Sequence, residues 1–465
     1  MRRMNAKQGE KLAKGKASNQ LPKLNVDAAG IDVGSEEHWV AVPEDRAEHP
    51  VRSFKCFTAD LQAMIQWLRE CKIKTVAMES TGVYWIPIFQ ILDRAGFDVK
   101  LVNARHVKNA PGRKTDVSDC QWLQRLHTYG LLNGSFRPND QVCVLRSYWR
   151  HRDNLLRYAS SHILHMQKAL SEMNIQLHKV IADITGMTGM RIIRAILAGE
   201  RDPLVLANMK DYRIKSSVHD IVKSLEGDYR QEHLFVLKQA VDLYDYYHQQ
   251  IEACDRQLEV CLSQFDSKAD VQSQPVPPAK ARGRKRRRNE PSIDLHAHLY
   301  RITGIDFTQI DGLDVLSVQT ILSEVGLNPE AFPSEKHFAS WLGLCPDNRI
   351  TGGKIKSSKT RKVVNRAANA FRLAAQTMHH SSSALGGYYR RMRAKLGAPK
   401  AITATAHKLA RMFYRLWKTG EAYNDQGADY YEQKYKERVL NNLKAKAKQL
   451  GYDMTLKTLV GSEVS

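Results

Sequence analysis

The sequence lacks several features that would assign it to common classes of protein. Its 465 residues contain no apolar run near the roughly 18 residues that a membrane-spanning helix needs. The seven cysteines form no C-x-x-C pair and their number is odd, which argues against a disulfide framework and a structural zinc site. The basic N-terminal stretch has no apolar segment typical of a secretory signal. We therefore expect a reduced, cytoplasmic compartment and no membrane partner.

Acidic residues are scarce relative to basic ones. Lysine and arginine total 71 against 49 aspartates and glutamates, so the formal net charge is +22. A surplus of this size indicates a polyanionic partner, of which nucleic acid is the commonest. Hydrophobic residues make up 43% of the chain, which is enough to build folded cores and excludes global disorder.

Changes in residue pattern predict six segments. Short apolar runs that alternate with helical periodicity predict an α/β domain of order βββαβαβα at 28–142. Long helical periodicity at 143–272 predicts an elongated helical hairpin or coiled coil, or equally a plain helical bundle. The other segments are a basic tail at 1–27, a basic linker at 273–292, a mostly α-helical C-terminal domain at 293–425 and a charged helical tail at 426–465.

Four acidic residues of the predicted α/β domain stand where a carboxylate needs a partner. Asp32 interrupts an apolar strand, where an unpaired charge costs several kcal/mol, and Glu79 ends a second apolar strand. Asp116 and Asp119 are three residues apart, so on a helix they share a face and repel each other unless a cation neutralises them. The alternatives are that Asp116 caps its helix and that Glu79 is an exposed strand end.

A strand-borne Asp, a strand-end Glu and a D-x-x-D helix in a βββαβαβ frame have the layout of an RNase H/RuvC-like site. In such a site, acids hold divalent ions that clamp a phosphodiester. Hard oxygen ligands select Mg²⁺ or Mn²⁺ over Zn²⁺. The sequence therefore predicts metal-dependent phosphodiester chemistry at these four residues.

Motifs in both halves of the chain resemble those of a known family. The strings in the N-terminal half are GIDVG at 30–34, MESTGVYW at 78–85, NAR at 103–105 and KTDVSD at 114–119. The strings in the C-terminal half are GLCP at 343–346, TGGK at 351–354, NRAA at 365–368 and LAA at 373–375. Together they resemble the DEDD transposases of bacterial insertion sequences, in the IS-one-ten family and its IS-eleven-eleven branch.

The resemblance implies a RuvC-like domain, a coiled-coil connection and a C-terminal transposase domain. It implies a DNA recombinase that excises and inserts its own element, guided by an element-encoded structured RNA that bridges donor and target DNA. It also implies a homo-oligomer, a dimer or tetramer with composite sites, and a bacterial, nucleoid-associated protein. Asp32, Glu79, Asp116 and Asp119 take the positions of the family's acidic tetrad, and a serine of the C-terminal domain would form a 5′-phosphoserine-type intermediate.

The nucleophile is where this chain departs from the family pattern. Thr351 occupies the slot of the family's serine, and its β-methyl group crowds an attack on phosphorus. Ser357 and Ser358 follow in the same basic loop and are alternative nucleophiles. Both serines could instead merely bind a phosphate or cap the next turn. Two other classes remain open, namely a structure-specific DNA nuclease that uses metal-activated water and a non-enzymatic nucleic-acid scaffold.

Basic residues in three places are predicted to contact nucleic acid. They are Arg113 and Lys114 before the D-x-x-D helix; Arg282, Arg284, Lys285, Arg286, Arg287 and Arg288 in the linker; and Lys354, Lys356, Lys359, Arg361 and Lys362 beside the candidate hydroxyls. A glycine turn at 310–314 before an apolar helix also resembles a helix-hairpin-helix unit, whose backbone N–H groups would meet a phosphate.

Overall fold

The computed structural model describes residues 21–80, 82–103, 116–271, 273, 275–278 and 289–455. These residues belong to two compact units, of which the first ends at Arg137 and the second begins at Pro138. No helix in the described ranges is both long enough and apolar enough to cross a membrane.

A five-stranded sheet forms the centre of the first unit. Its strands are β1 (Ala28–Val33), β2 (Glu37–Ala41), β3 (Val51–Lys55), β4 (Thr75–Glu79) and β5 (Asp98–Val102), in the order β3-β2-β1-β4-β5. The strand pairs β1–β2 and β2–β3 are antiparallel, whereas β1–β4 and β4–β5 are parallel. The helices are α1 (Thr58–Glu70), α2 (Trp85–Arg94) and α3 (Asp116–Thr128). Over the described residues, the predicted order of strands and helices is confirmed.

Helices cover both faces of this sheet. Ile31 and Met78 point to one face, where they are fully buried in a core that α1 and α2 complete. Ala77 points to the other face, where it packs with Leu123 of α3. Because side chains alternate across a strand, neighbouring residues of β1 and β4 serve different cores. This alternation directs Asp32, the residue after Ile31, to the face that α3 covers.

Two 33-residue helices, α4 (Asp140–Glu172) and α9 (Gln231–Ser263), begin the second unit. Arg152 pairs with Asp255, and Glu172, twenty residues later, meets His233. The contacts advance along one helix as they recede along the other, so the two helices are antiparallel. Four short helices lie between them in the chain: α5 (Leu177–Val180), α6 (Met187–Leu197), α7 (Pro203–Ala207) and α8 (Val218–Leu225). They share a core with the long helices, which is wider than a two-helix seam.

The rest of the second unit is mostly helical around an aromatic core. Its helices are α10 (Leu295–Thr303), α11 (Val315–Val325), α12 (Glu335–Trp341), α13 (Arg366–Thr377), α14 (Ala384–Leu396), α15 (Ala398–Thr419) and α16 (Gly427–Gln449). A two-stranded hairpin, β6 (Arg349–Thr351) and β7 (Lys354–Ser357), separates α12 from α13. Phe307 stacks on Phe413 with 4.1 Å between ring centroids, and Phe338 and Phe371 surround this pair. All four rings are buried, so this region has its own apolar core.

Candidate active site

Gly30 allows α3 to lie directly on strand β1. A Cβ atom at Gly30 would stand 2.3 Å from the backbone nitrogen of Gln124 and 2.4 Å from the carbonyl oxygen of Cys120. Real Cβ contacts are never this short, so only glycine permits the approach. Gln124 also donates a hydrogen bond of 3.4 Å from Nε2 to the carbonyl oxygen of Ala28. The helix therefore runs antiparallel to the strand, with Gln124 over Ala28 and Cys120 over Gly30.

This arrangement brings acids of the helix towards the acid of the strand. Asp32 lies two residues beyond Gly30 on the same face of β1, about 7 Å along the strand. Asp116 lies four residues before Cys120, about 6 Å along the helix in the same direction. Asp119 follows less than one turn later on that helix. The close packing at Gly30 thus sets Asp116 and Asp119 beside the end of β1.

Glu79 joins this group from the neighbouring parallel strand. The register of β1 and β4 pairs Ile31 with Met78, so Asp32 and Glu79 are the next residues of adjacent strands. Adjacent strands lie about 5 Å apart, and residues at one level point to the same face. Asp32, Glu79 and Asp119 are half-buried, whereas Asp116 is exposed.

The electrostatics of Asp32 reflect these neighbours. Burial, followed by repulsion from Glu79, Asp116 and Asp119, raises the pKa of Asp32 to about 6, while a hydrogen bond from the Val33 backbone opposes the shift. The nearby thiol of Cys120 responds in the same way. Burial and then the charge of Asp32 raise the pKa of Cys120 to about 12, so this thiol stays protonated. The four carboxylates therefore act on one another across a short distance.

The carboxylates are neighbours without a preformed coordination sphere. Within the described ranges, no three histidine, cysteine, aspartate or glutamate side chains stand close enough together to hold one metal ion. Ionised carboxylates that lack a counter-ion repel each other, which opposes such an approach. The donors are all hard oxygen atoms. Burial, and after it repulsion from the other three acids, raises the pKa of Asp32, and a bound cation would relieve that repulsion. The residues present therefore fit Mg²⁺ or Mn²⁺.

The candidate hydroxyls lie on the β6–β7 hairpin, where the sequence predicts only a loop, and that part of the prediction is wrong. Thr351 pairs with Lys354 across Gly352 and Gly353, whose φ angles are +56° and +74°. Two central residues with positive φ make a two-residue turn that matches strand twist, and glycine adopts this conformation without strain. Gly352 and Gly353, which the sequence pattern assigns to a loop, instead close a tight turn, because this turn type requires positive φ at both positions.

The three hydroxyls differ in their surroundings. Thr351 and Ser358 are exposed, whereas Ser357 is half-buried. Oγ of Ser357 accepts a hydrogen bond of 3.4 Å from the backbone nitrogen of Lys359, so this hydroxyl already terminates the strand. The surroundings favour the exposed hydroxyls as nucleophiles but leave all three as candidates.

The base of the hairpin is anchored to the helical core. The Asp347 nitrogen donates to the Lys359 carbonyl over 2.9 Å. Nη2 of Arg361 donates to the Ser340 carbonyl oxygen over 2.6 Å, which gives this predicted phosphate ligand a structural contact as well. Lys354, Lys356, Lys359 and Lys362 are exposed along the hairpin and its base.

Two family models match this chain in different regions. The DEDD transposase model of IS110, described as Transposase, matches residues 29–175. The model described as Transposase IS116/IS110/IS902 family matches residues 306–390. The chain belongs to the IS110 family of transposases. The sequence motifs resemble this same IS110 (IS-one-ten) family.

A curated relative agrees with this assignment over a shorter stretch. The chain is similar to a protein of Sinorhizobium fredii (strain NBRC 101917 / NGR234) that bears the name "Putative transposase y4pF/y4sB". The two are 28% identical over 125 residues, which is 25% of this chain and 31% of that protein. The match thus spans about a third of the relative's length.

In this IS110-family chain, the N-terminal model covers all four acids and the C-terminal model covers all three hydroxyls. The predicted nucleic-acid contacts Arg113 and Lys114 lie outside the described residues. The same holds for the linker residues Arg282, Arg284, Lys285, Arg286, Arg287 and Arg288.

The glycine turn at 310–314 is packed against a helix. A Cβ atom at Gly312 would stand 2.4 Å from Cε of Met378 and 2.7 Å from the carbonyl oxygen of Ala374. The Leu313 nitrogen donates to the Ile310 carbonyl over 3.1 Å, and Asp314 caps α11 by accepting from the Ser317 nitrogen over 2.8 Å. The turn glycine thus serves packing against α13.

Sequence reasoning missed the positioning role of Gly30. Its signal is a glycine inside a buried strand, two residues before the acid, because such a glycine often marks close backbone approach. Nothing in the sequence says which helix makes the approach, since α3 lies some ninety residues further along the chain.

Proposed function

We propose that this protein cuts and rejoins the DNA of an insertion sequence, with its four carboxylates binding divalent metal and a hydroxyl attacking phosphorus. The observation that carries the proposal is the group formed by Asp32, Glu79, Asp116 and Asp119, in which burial and then repulsion from the other three raise the pKa of Asp32 to about 6. A buried carboxylate with such neighbours is costly unless a cation binds. The strand order β3-β2-β1-β4-β5, with the acids at strand ends and on the covering helix, supports an RNase H/RuvC-like fold.

The carboxylates would hold Mg²⁺ or Mn²⁺, which stabilises negative charge on a scissile phosphate and orients the attacking and leaving oxygens. Asp32 and Glu79 would bind from the strands, with Asp116 and Asp119 binding from the helix. The close packing at Gly30 keeps the helix acids beside the strand acids. The raised pKa of Asp32 means that cation binding and proton release are linked at this carboxyl.

The hydroxyl of Thr351, Ser357 or Ser358 would supply the nucleophile. Its proton is lost to solvent, a bond forms between its oxygen and phosphorus, and the bond from phosphorus to the 3′ oxygen breaks. The 3′ oxygen takes up a proton, which leaves a 5′-phosphoryl group on the protein. Attack by a different 3′ hydroxyl reverses these steps and rejoins the strand. Exposed lysines of the hairpin would hold the DNA backbone.

An element-encoded guide RNA and a dimeric or tetrameric assembly complete the proposal. The formal charge of +22 supports binding of more than one nucleic-acid strand. The guide RNA would select donor and target DNA by base pairing, so that the protein need not read the target sequence.

The test is an adduct assay on the purified full-length chain. End-labelled DNA that carries the element junction is incubated with Mg²⁺ and with RNA transcribed from the flanking non-coding region, and products are separated under denaturing conditions. We expect a protein-linked DNA product that requires both metal and RNA. Cleavage without any linked product would instead support the nuclease that uses metal-activated water. Absence of both products would contradict the proposal.

A further inference from the structure

A cleft of about 500 Å³ lies within the second unit, and no residue of the β6–β7 hairpin lines it. Its walls are the middle of α4, the first half of α11 and the first two turns of α13. Pockets of this size accept ligands of a few hundred daltons, such as a nucleotide. The proposed chemistry makes no use of this cleft.

The walls combine apolar surfaces with short polar side chains. Trp149, Leu156, Leu316 and Leu373 provide the apolar part, and Leu373 is 57% exposed although it is a large hydrophobic residue. Nε1 of Trp149 donates to Oγ1 of Thr320 over 3.0 Å, which fixes the indole in the wall. The amide of Asn369 lines the same space. An apolar slot with a few neutral hydrogen-bonding groups suits a flat, polar-edged ring better than a fully charged ligand.

Two arginines and an aspartate that line the cleft form one ion-pair group. Oδ2 of Asp153 is shared between Nη2 of Arg157 and Nη1 of Arg366, each at 3.1 Å. Two guanidinium groups thus share one carboxylate, and guanidinium N–H groups are well suited to donate to a phosphate. Asp314 also lines the cleft, where it caps α11.

A third arginine, Arg152, lines the cleft but is already neutralised. Its guanidinium pairs with the carboxylate of the buried Asp255 and donates to the carbonyl oxygen of Asn289 over 2.9 Å. Asp255 in turn accepts from the Ser292 nitrogen over 2.9 Å. The chain at 289–292 is therefore fixed at the edge of the cleft. In the sequence, seven basic residues within positions 280–288 immediately precede this fixed point.

We propose that this cleft receives one unpaired nucleotide of a single-stranded nucleic acid. The base would lie between Trp149, Leu156, Leu316 and Leu373, with its polar edge at Asn369, and its phosphate would lie at Arg157 and Arg366. Unpaired bases are recognised by insertion between apolar or aromatic side chains, and a cationic rim follows the backbone. The ligand class rests on the proposed function, whereas the position of the cleft does not.

The experiment measures binding of labelled 20-nucleotide strands to the full-length chain by fluorescence anisotropy at one fixed salt concentration. The probes are a single-stranded RNA, a single-stranded DNA, the same DNA with abasic sites in place of its bases, and a DNA duplex. We expect the wild-type protein to bind the intact single strand at least about fivefold more tightly than the abasic strand, because base contacts contribute this much. The RNA and DNA probes identify which strand the cleft prefers.

The decisive variant is Leu373→Glu, which changes an exposed side chain and leaves the core intact. We expect it to remove the preference for intact over abasic strands and to leave duplex binding unchanged. Gln376→Glu is the matched control, since it adds the same charge to an exposed position of α13 that does not line the cleft. Arg366→Gln should weaken binding of intact and abasic strands alike, relative to Arg372→Gln on the same helix. A Leu373→Glu variant with the wild-type preference for bases overturns the proposal, as does an equal loss on the duplex.

A parallel measurement separates this proposal from the proposed function. Asp32→Asn should retain the preference for bases, because the carboxylate lies in the first unit and the cleft in the second. If Asp32→Asn loses DNA cleavage but keeps its preference for bases, the result supports the catalytic proposal and leaves the cleft proposal standing. If the wild-type protein cleaves DNA but shows no preference for bases, the cleft proposal is overturned and the catalytic proposal is not.

Discussion

The four acids of the first unit and the three candidate hydroxyls of the second unit have very different structural support. The acids stand on the ends of buried strands and on a helix that packs directly on one of them, so two apolar cores hold their backbone. The hydroxyls stand on or next to a hairpin of two short strands whose residues are almost all exposed. A two-stranded hairpin has little stability of its own, and here only its base is tied to the core.

This difference suggests a division of labour. Groups that must hold a metal benefit from a rigid frame, because the coordination geometry has to exist before the substrate arrives. A nucleophile that becomes covalently joined to DNA and is later released benefits from an exposed position with few packing contacts. Substitutions that disturb the packing of the first region should therefore alter folding and chemistry together, whereas substitutions in the hairpin should alter chemistry alone.

The largest expected effect is that of Asp32→Asn on DNA cleavage. Loss of a metal-binding carboxylate should reduce the cleavage rate by at least about 10³-fold. The melting temperature should stay unchanged or rise, because burial and three carboxylates disfavour ionised Asp32 above pH 6. Rates from labelled DNA and a thermal melt check both statements. Asp45→Asn, at an exposed acid of the same unit, is the control, and full activity in Asp32→Asn would refute the metal site.

Removal of the attacking hydroxyl should abolish the protein–DNA adduct. Among Thr351→Val, Ser357→Ala and Ser358→Ala, one variant should lose the adduct and still bind DNA, because covalent attack needs an oxygen nucleophile. None should change the free energy of unfolding by more than about 0.5 kcal/mol, since the hairpin is exposed. Denaturing gels and chemical unfolding measure the two effects. Adduct formation by all three variants would exclude these hydroxyls.

Gly30→Ala should damage folding and chemistry together. The added Cβ would meet backbone atoms of Gln124 and Cys120 at 2.3 and 2.4 Å, so α3 must move away from β1. We expect a loss of stability of about 1–3 kcal/mol and a reduced cleavage rate. Gly134→Ala is the control, because its Cβ would meet only the Lys100 side chain at an ordinary 3.4 Å. Normal activity in Gly30→Ala would show that close packing at this strand is not required.

Mild acid should weaken the first unit through His127. Burial, and then Lys100, lowers the pKa of His127 to about 4, against an ordinary value of 6.5. Because the folded state favours the neutral ring, the stabilisation is complete above pH 6.5 and is lost as the pH falls towards 4. His127→Gln should therefore lose less stability than wild type between pH 7 and 4, by at most about 3 kcal/mol. Chemical unfolding at several pH values tests this, and parallel curves would contradict it.

The smallest effect is expected from single lysines of the hairpin. Lys354→Gln or Lys356→Gln should weaken DNA binding only a few-fold and reduce the slope of log K against log salt by about 1, because each contacts at most one phosphate. Binding titrations at several salt concentrations measure the slope. Lys72→Gln, at an exposed lysine of the first unit, should leave it unchanged. Hairpin variants with the wild-type slope would show that these lysines do not meet DNA.

Much of the first unit could be predicted from the sequence, whereas the hairpin could not. Strands such as Thr75–Glu79 are apolar runs with clear ends, so their pattern alone indicates a buried strand. Strand β6 has three exposed residues and no apolar alternation, and its glycine pair is as typical of a loop as of a tight turn. Asp32 could be singled out from the sequence because a charge inside an apolar strand is conspicuous.

The sequence by itself determined the residue types, their order, the net charge and the alternation that sends Asp32 to one face of its strand. Only the tertiary structure decided that α3 rests on Gly30, that Asp116 and Asp119 therefore meet Asp32, and that α4, α11 and α13 enclose a cleft. The physical reason is range. Local patterns govern which residues form a strand or helix, whereas the approach of distant elements depends on shapes and volumes that no short stretch of sequence contains.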